Sequence, residues 1–158
     1  MQVFIMRHGE AALEAASDAQ RPLTQVGHAE SVRMAAWLGS QVENIDRVLV
    51  SPYLRAQQTL AAVREALSLP SEVEILNELV PGGDADVTAS YLEALSQQAS
   101  QRVLVISHLP LVGYLVSALC PQETPPMFST SAIAAVTLNG AAGELAWQVS
   151  PSQLADGL

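Results

Sequence analysis

The 158-residue sequence contains no lysine and only one cysteine, Cys120. A single thiol excludes an internal disulfide and gives no basis for a thiolate metal cluster, so a buried, inert role is expected for it. All seven basic residues are arginines, at positions 7, 21, 33, 47, 55, 64 and 102, set against sixteen acidic ones for a net charge of -9. Positions so scattered do not suggest the basic face that nucleic acid requires, and no nucleic-acid partner is expected. An acidic protein repels anions at long range, so any anion site must be a local concentration of donors, which singles out Arg7 and Arg55. A positively charged leader is also lacking, and the N-terminal apolar run is too short for a signal peptide, which points to the cytoplasm. Long hydrophobic runs are limited to residues 103–120, near the lower limit for a membrane span. His108 and Pro110 interrupt that run, so it reads as a buried strand, a turn and a buried helix, with no membrane partner.

What is present describes a compact globular chain: 49% of residues are hydrophobic and 15% charged. This length suits one domain over residues 1–158. Strand-like and helix-like segments alternate, which predicts an α/β fold, a three-layer α/β/α sandwich with a mainly parallel central sheet. Strands are expected at Gln2 to Met6, Arg47 to Val50, Glu72 to Leu76 and Val103 to Ile106. Helices are expected at Thr24 to Leu38, capped by Thr24, faced inward by Val32, Ala35, Ala36 and Trp37 and stopped by Gly39, and at Pro52 to Leu67, capped by Ser51. Val87, Tyr91, Leu92 and Leu95 recur at helical spacing between Asp86 and Gln98, and a fourth helix should follow Pro110. Ile133 to Leu138 and Leu145 to Val149, joined by residues 139–143, predict an antiparallel C-terminal hairpin, with fraying from Ser150.

Three strand-to-helix junctions carry the chemistry: Arg7-His8-Gly9, Ser51-Pro52-Tyr53-Leu54-Arg55 and Ser107-His108-Leu109-Pro110. In a parallel sheet all three open on the carboxyl edge, where ligands of α/β proteins bind. Helical side chains lean towards the helix N-terminus, so Arg55 can reach the strand ends. Two arginines and two histidines then converge, and guanidinium groups match the oxygens of a tetrahedral dianion. Two arginines in one pocket repel a divalent cation, which disfavours a zinc site at His8 and His108. Taken singly, Arg7 and Arg55 could be surface cations and His108 a core histidine. Their coincidence at one sheet edge is what argues for a phosphate site.

The stretches MQVFIMRHGE, VLVSPYLRAQQT and VLVISHLPLVGYLV resemble the histidine phosphatase superfamily, with its phosphoglycerate-mutase-like fold, and within it the SixA-type phosphohistidine phosphatases. The resemblance implies His8 as nucleophile, Arg7, Arg55 and His108 as the phosphate pocket, and no metal or cofactor. It implies a hydrolase that removes phosphate from histidine of a signalling or phosphorelay protein, such as a histidine-containing phosphotransfer domain. Glu78 is the provisional general acid, because relatives often keep an acidic residue in that segment, and Glu10 is the other candidate. Ala11 and Ala12 stand where relatives often have a hydroxyl or amide. His8 is expected to act as the neutral ring and His108 as a cation, giving a bell-shaped pH dependence. The short connection Gly82-Gly83-Asp84 leaves no room for an insertion over the site, which suits a phosphohistidine carried on a protein, and the enzyme is expected to act as a monomer. The segment Pro125 to Phe128 either meets that partner or packs on the core. The alternatives are a phosphatase or mutase of small phosphorylated metabolites and an inactive phosphate-binding module.

Overall fold

Alternate residues of the first strand go to opposite faces of a sheet, as the two-residue period of an extended chain requires. In the computed structural model, which describes residues 1–140 and 142–154, Val3 and Ile5 of β1 (Gln2–Arg7) join one hydrophobic cluster, while Phe4 and Met6 join another. The remaining strands are β2 (Arg47–Val50), β3 (Glu74–Ile75), β4 (Arg102–Ser107), β5 (Ile133–Asn139) and β6 (Ala142–Val149). They form one six-stranded sheet in the order β3-β2-β4-β1-β5-β6. β1 to β4 run parallel, β5 lies antiparallel to β1, and β6 antiparallel to β5.

Four α-helices among the described residues complete the sandwich. α1 (Gln25–Gln41) and α2 (Leu54–Arg64) pack on the face carrying Phe4 and Met6, through Met34, Ala35, Leu38, Leu60 and Val63. α3 (Ala85–Gln98) and α4 (Leu111–Leu119) cover the face of Val3 and Ile5, through Leu92, Leu95, Leu111, Leu115 and Leu119. Strands β1 and β4 are covered on both faces, which explains why they read as continuous apolar runs. The expected three-layer, mainly parallel architecture with its closing hairpin is what the structure shows. Residues 103–120 are β4, a turn and α4, and no described helix is long and apolar enough to cross a membrane. Cys120 is a buried free thiol.

Several boundaries differ for physical reasons. α1 runs through Gly39 to Gln41: its close comes where Val42 N–H reaches Leu38 O, and Gly39 sits inside it against Leu67. Thr24 caps α1 as expected, its hydroxyl oxygen accepting from Gly27 N–H at 3.0 Å. Ala36 is exposed, and Met34 and Leu38 take the inner face with Ala35. α2 starts two residues later than Pro52, with Ser51 bonded to His108, and ends at Arg64, where Glu65 N–H turns to the Ala62 and Val63 carbonyls. β3 shrinks to two residues, being an edge strand with β2 as its only neighbour. Val87 of α3 is half exposed. In the hairpin, Asn139 already pairs with Ala142, and Gly140 turns with a φ of +64°, a conformation open to glycine at little cost. Ala141 lies outside the described residues. Ser150 does not begin a frayed tail, because Pro151–Gln153 form a 3₁₀ turn with Pro151 and Leu154 buried; residues 155–158 lie outside the described residues.

Candidate active site

The carboxyl ends of three neighbouring strands, β2, β4 and β1, deliver the residues singled out by the sequence. Arg7 is the last residue of β1 and lies opposite Ser107, the last of β4, so His8 and His108 follow on adjacent strands. Arg55 is the second residue of α2, which follows β2. Although all three are polar or charged, His8, Arg55 and His108 are only 6%, 3% and 1% exposed. Groups of this kind are not buried for packing alone, since desolvation opposes it. The two imidazole rings lie with centroids 5.0 Å apart. Arg55 Nε donates to His8 Nε2 at 3.3 Å. Arg7 NH1 donates to the Phe128 carbonyl at 2.9 Å, which ties β1 to the segment before β5.

The hydrogen bonds decide which nitrogen of His8 is reactive. Nδ1 lies 2.7 Å from the Gly9 carbonyl, which can only accept, so Nδ1 carries the proton and Nε2 keeps its lone pair. Burial, first of all, pushes the His8 pKa down to about 4; the Gly9 bond opposes this, and Arg55, Arg7 and Arg21 add to it. His108 is pushed down to about 3, again mainly by burial, with His8 and Arg55 contributing. Arg7 too lies below its ordinary value through burial and the nearby Arg55. The sequence reading of opposite charge states for the two histidines therefore does not hold in this pocket: both rings are neutral at pH 7. A dianion arriving between them would raise His108, because an opposite charge favours the protonated form.

His108 Nε2 meets Ser51 Oγ at 2.7 Å, while Ser51 Oγ also accepts from Tyr53 N–H at 3.2 Å. The serine hydroxyl keeps its proton to give to Nε2, and in that tautomer Nδ1 is the N–H. Three buried side-chain atoms lack a partner among the described residues, and two of them are Arg7 Nε and His108 Nδ1. Unpaired buried donors are costly, and their concentration in one place marks a site built for an acceptor.

Residues that sequence reasoning passed over hold this arrangement. Gly9 N–H donates to Thr59 Oγ1 at 3.0 Å, and Thr59 donates in turn to the Arg55 carbonyl at 2.8 Å. Thr59 lies one turn after Arg55, a spacing that could have exposed it. Ser131 has a φ of 64°, rare for a residue with a side chain, and its N–H reaches both the Arg7 and His8 carbonyls at 3.1 Å. Nothing in the local sequence announces it. Asp18, in a 3₁₀ turn between β1 and α1, bonds both Arg55 and Arg21.

The structure brings Arg7, His8, Arg55 and His108 together, while Glu78 and Glu10 make their hydrogen bonds elsewhere. Glu78 is exposed, and its carboxylate accepts from Asp84 N–H at 3.0 Å. Glu10 accepts from the Thr24 hydroxyl at 2.6 Å, at the start of α1. Neither hydrogen-bonds to the four clustered side chains. Ala11 forms an isolated bridge with Leu23. In the segment 125–128, Phe128 packs in the core while Met127 is 79% exposed. No group of three or more His, Cys, Asp or Glu is arranged to hold a metal among the described residues.

Neutral burial of two histidines has a consequence for stability. Unfolded, both titrate near 6.5, and the unfolded chain then takes up protons that the folded pocket refuses. Their contribution is complete above pH 6.5 and is lost on acidification towards pH 4 and pH 3. The urea midpoint should therefore fall between pH 7 and pH 4.5, and fall less steeply in His108→Asn. Equal slopes for the two proteins would show that His108 is not buried as the neutral ring.

A nucleophile-competent imidazole between two guanidinium groups and a second imidazole, at the carboxyl edge of a parallel sheet, defines a phosphate-handling α/β protein of the phosphoglycerate-mutase-like fold. Residues 3–82 match the model of the histidine phosphatase superfamily (branch 1). The chain belongs to that superfamily. It is 61% identical to the phosphohistidine phosphatase SixA of Escherichia coli (strain K12) over 155 residues, 98% of this chain and 96% of that protein. It is 40% identical to a phosphohistidine phosphatase SixA homolog of Haemophilus influenzae, covering 96% of this chain and 97% of the relative. Among solved structures, the protein histidine phosphatase SixA complexed with tungstate superposes with a TM-score of 0.96 at 60% identity, over 98% of this chain and 100% of that one.

Proposed function

We propose that the protein is a phosphohistidine phosphatase that works through a covalent phosphohistidine on His8. The observation that carries the reading is the His8 geometry: Nδ1–H fixed on the Gly9 carbonyl, and the lone pair on Nε2, where Arg55 Nε donates at 3.3 Å. Its likeness to SixA over the whole chain, and the tungstate held by that relative, support the substrate and the anion site.

The chemistry runs in two displacements. The Nε2 lone pair of His8 attacks phosphorus in line, and the bond from phosphorus to the substrate's imidazole nitrogen breaks. Glu78 and Glu10 accept hydrogen bonds from Asp84 N–H and the Thr24 hydroxyl, and in this reading the departing ring takes its proton from solvent, which an imidazole does near neutral pH. Arg7, Arg55 and His108 Nδ1–H hold the three transferring oxygens, whose charge they stabilise in the transition state. Because the Gly9 carbonyl can only accept, Nδ1 keeps its proton while phosphorus sits on Nε2. The phosphorylated ring is thus cationic and a good leaving group. Water then attacks phosphorus, the P–Nε2 bond breaks, the water proton leaves with phosphate, and neutral His8 is restored.

In this reading the chain acts as one domain and as a monomer, in the cytoplasm, on a phosphohistidine-bearing protein of a signalling relay. The short path from the Asn77–Leu79 turn to α3, with no insertion between them, supports a bulky substrate. The test is a substrate panel: a phosphohistidine protein, sugar phosphates and phosphoserine peptides, assayed in chelator. Turnover confined to the phosphohistidine protein is expected. Faster turnover of a sugar phosphate would transfer the reading to small metabolites, and phosphate binding without any turnover would reduce the protein to a binding module.

A further inference from the structure

Arg55 offers five N–H donors in a rigid plane, and its use depends on which edge faces the reacting atom. Asp18 occupies one edge completely. Arg55 NH1 donates to the Asp18 carbonyl at 2.6 Å and NH2 to Asp18 Oδ2 at 3.2 Å, so one residue takes both terminal nitrogens. The end of the fork is thereby closed. What remains is the side edge, formed by Nε–H and the second hydrogen of NH2, and Nε faces His8 Nε2 at 3.3 Å. That edge presents two parallel donors, the arrangement that matches two oxygens of a phosphoryl group.

Asp18 is itself held. Arg21 NH1 donates to Asp18 Oδ1 at 2.9 Å, and Arg21 Nε to the Ala12 carbonyl at 2.7 Å. Each carboxylate oxygen therefore has its own guanidinium, and the turn Asp18–Gln20 is tied both to the site and to the loop leaving β1. These hydrogen bonds, Arg21's first, hold the Asp18 carboxyl below the usual carboxylate range, so it is ionised at neutral pH and acts as an acceptor. An anionic residue on the arm of a phosphate-binding arginine would be a liability if attraction were all that mattered, since it repels the substrate. Its presence makes sense as an orienting device.

We infer that Asp18 is a positioning residue, which fixes the rotation of the Arg55 guanidinium so that its side edge, and not its end, meets the phosphoryl group on His8. The inference deepens the proposed reaction and rests on Arg55 contacting phosphate. Asp18 does not touch the substrate; it decides how Arg55 does. The Asp18 side chain is 55% exposed, so its truncation leaves the core untouched.

The experiment measures what Arg55→Ala does in three backgrounds: wild type, Asp18→Ala and Asp18→Asn. The readouts are the affinity for inorganic phosphate by calorimetry and the rate of phosphoryl transfer to His8, with thermal midpoints alongside. Loss of Arg55 should weaken phosphate binding at least about tenfold more in wild type than in Asp18→Ala, the mark of two residues acting as a unit. Asp18→Asn keeps an oxygen to accept from Arg55 NH2, at the cost of the charge and of the bond from Arg21 NH1, so it should stay closer to wild type than Asp18→Ala does. If Arg55→Ala has the same effect in all three backgrounds, Asp18 does not work through Arg55 and the inference is wrong. It is equally overturned if Asp18→Asn matches Asp18→Ala, since an acceptor for Arg55 NH2 then does not sustain the coupling. A wild-type protein that binds phosphate but never transfers it would refute the proposed function instead, and the calorimetric comparison would still decide the role of Asp18.

Discussion

Replacing His8 with alanine should lower the turnover of a phosphohistidine protein by on the order of 10⁴-fold or more, because the residue supplies the bond-forming electron pair and not a contribution to binding. Removal of a charge-stabilising partner is milder. Arg55→Ala removes donors from the transition state and should cost about 10²- to 10³-fold, as loss of a preorganised donor commonly does. The fold of His8→Ala should survive, since the local backbone is held by His8 N–H to Ser107 O at 2.9 Å and by Ser131 N–H to His8 O at 3.1 Å, neither of which uses the ring. The decisive readout is the acid-labile phosphoenzyme, trapped by rapid quenching. It should be absent in His8→Ala and retained, more slowly formed, in Arg55→Ala. A phosphoenzyme still trapped on another residue of His8→Ala would remove His8 from the nucleophile's role.

The second large effect is on stability, and it comes from a residue outside the catalytic cluster. Gly27→Ala should destabilise the protein by about 3 kcal/mol, at the upper end for inserting a methyl into a packed site. At this chain length, that lowers the thermal midpoint by roughly 6–12 °C. A Cβ on Gly27 would stand 2.2 Å from the Glu10 carbonyl oxygen and 2.7 Å from Glu10 N, and a Cβ on Gly9 would stand 2.6 Å from the Gly27 carbonyl oxygen. The first turn of α1 and the loop after β1 therefore touch backbone to backbone, and no side chain can swing aside to make room. The displaced loop is the one that carries His8, so activity should fall together with stability. Gly39→Ala is the matched control on the same helix. Its Cβ would meet Leu67 Cδ1 at 3.4 Å, an ordinary contact. Relief of glycine's entropy cost inside a helix should make Gly39→Ala neutral or stabilising by about 0.5 kcal/mol. Equal midpoints for the two variants, measured by calorimetry, would show that the Gly9–Gly27 approach is not a tight one.

Periodicity placed the layers because it is a local property. The apolar runs of β1, β2 and β4, the helical spacing around Leu92 and the hairpin pattern after Ile133 each record burial on one or two faces, and burial is what selects residue type. Boundaries were less legible, since they depend on what a terminal residue meets. Ser51 reads as a helix cap until His108 arrives to claim its hydroxyl, and Gly39 reads as a stop although α1 has two residues more. β3 lost most of its expected length because strand length is set by the neighbour it pairs with, and at the sheet edge it has only β2.

The sequence by itself determined that Arg7, His8, Arg55 and His108 would share the carboxyl edge of a parallel sheet, because each follows a strand and all those strands run one way. It could not determine the protonation of the site, since the pKa values of His8 and His108 follow from burial and from guanidinium groups brought in from other segments. Nor could it reveal Asp18, which is 37 residues from Arg55 along the chain and joins it through one carbonyl and one carboxylate oxygen. Residue types and strand order are written locally, whereas tautomer, charge state and the edge that a guanidinium presents arise only when distant segments desolvate one another. The tertiary structure alone turned a coincidence of four residues into an oriented nucleophile.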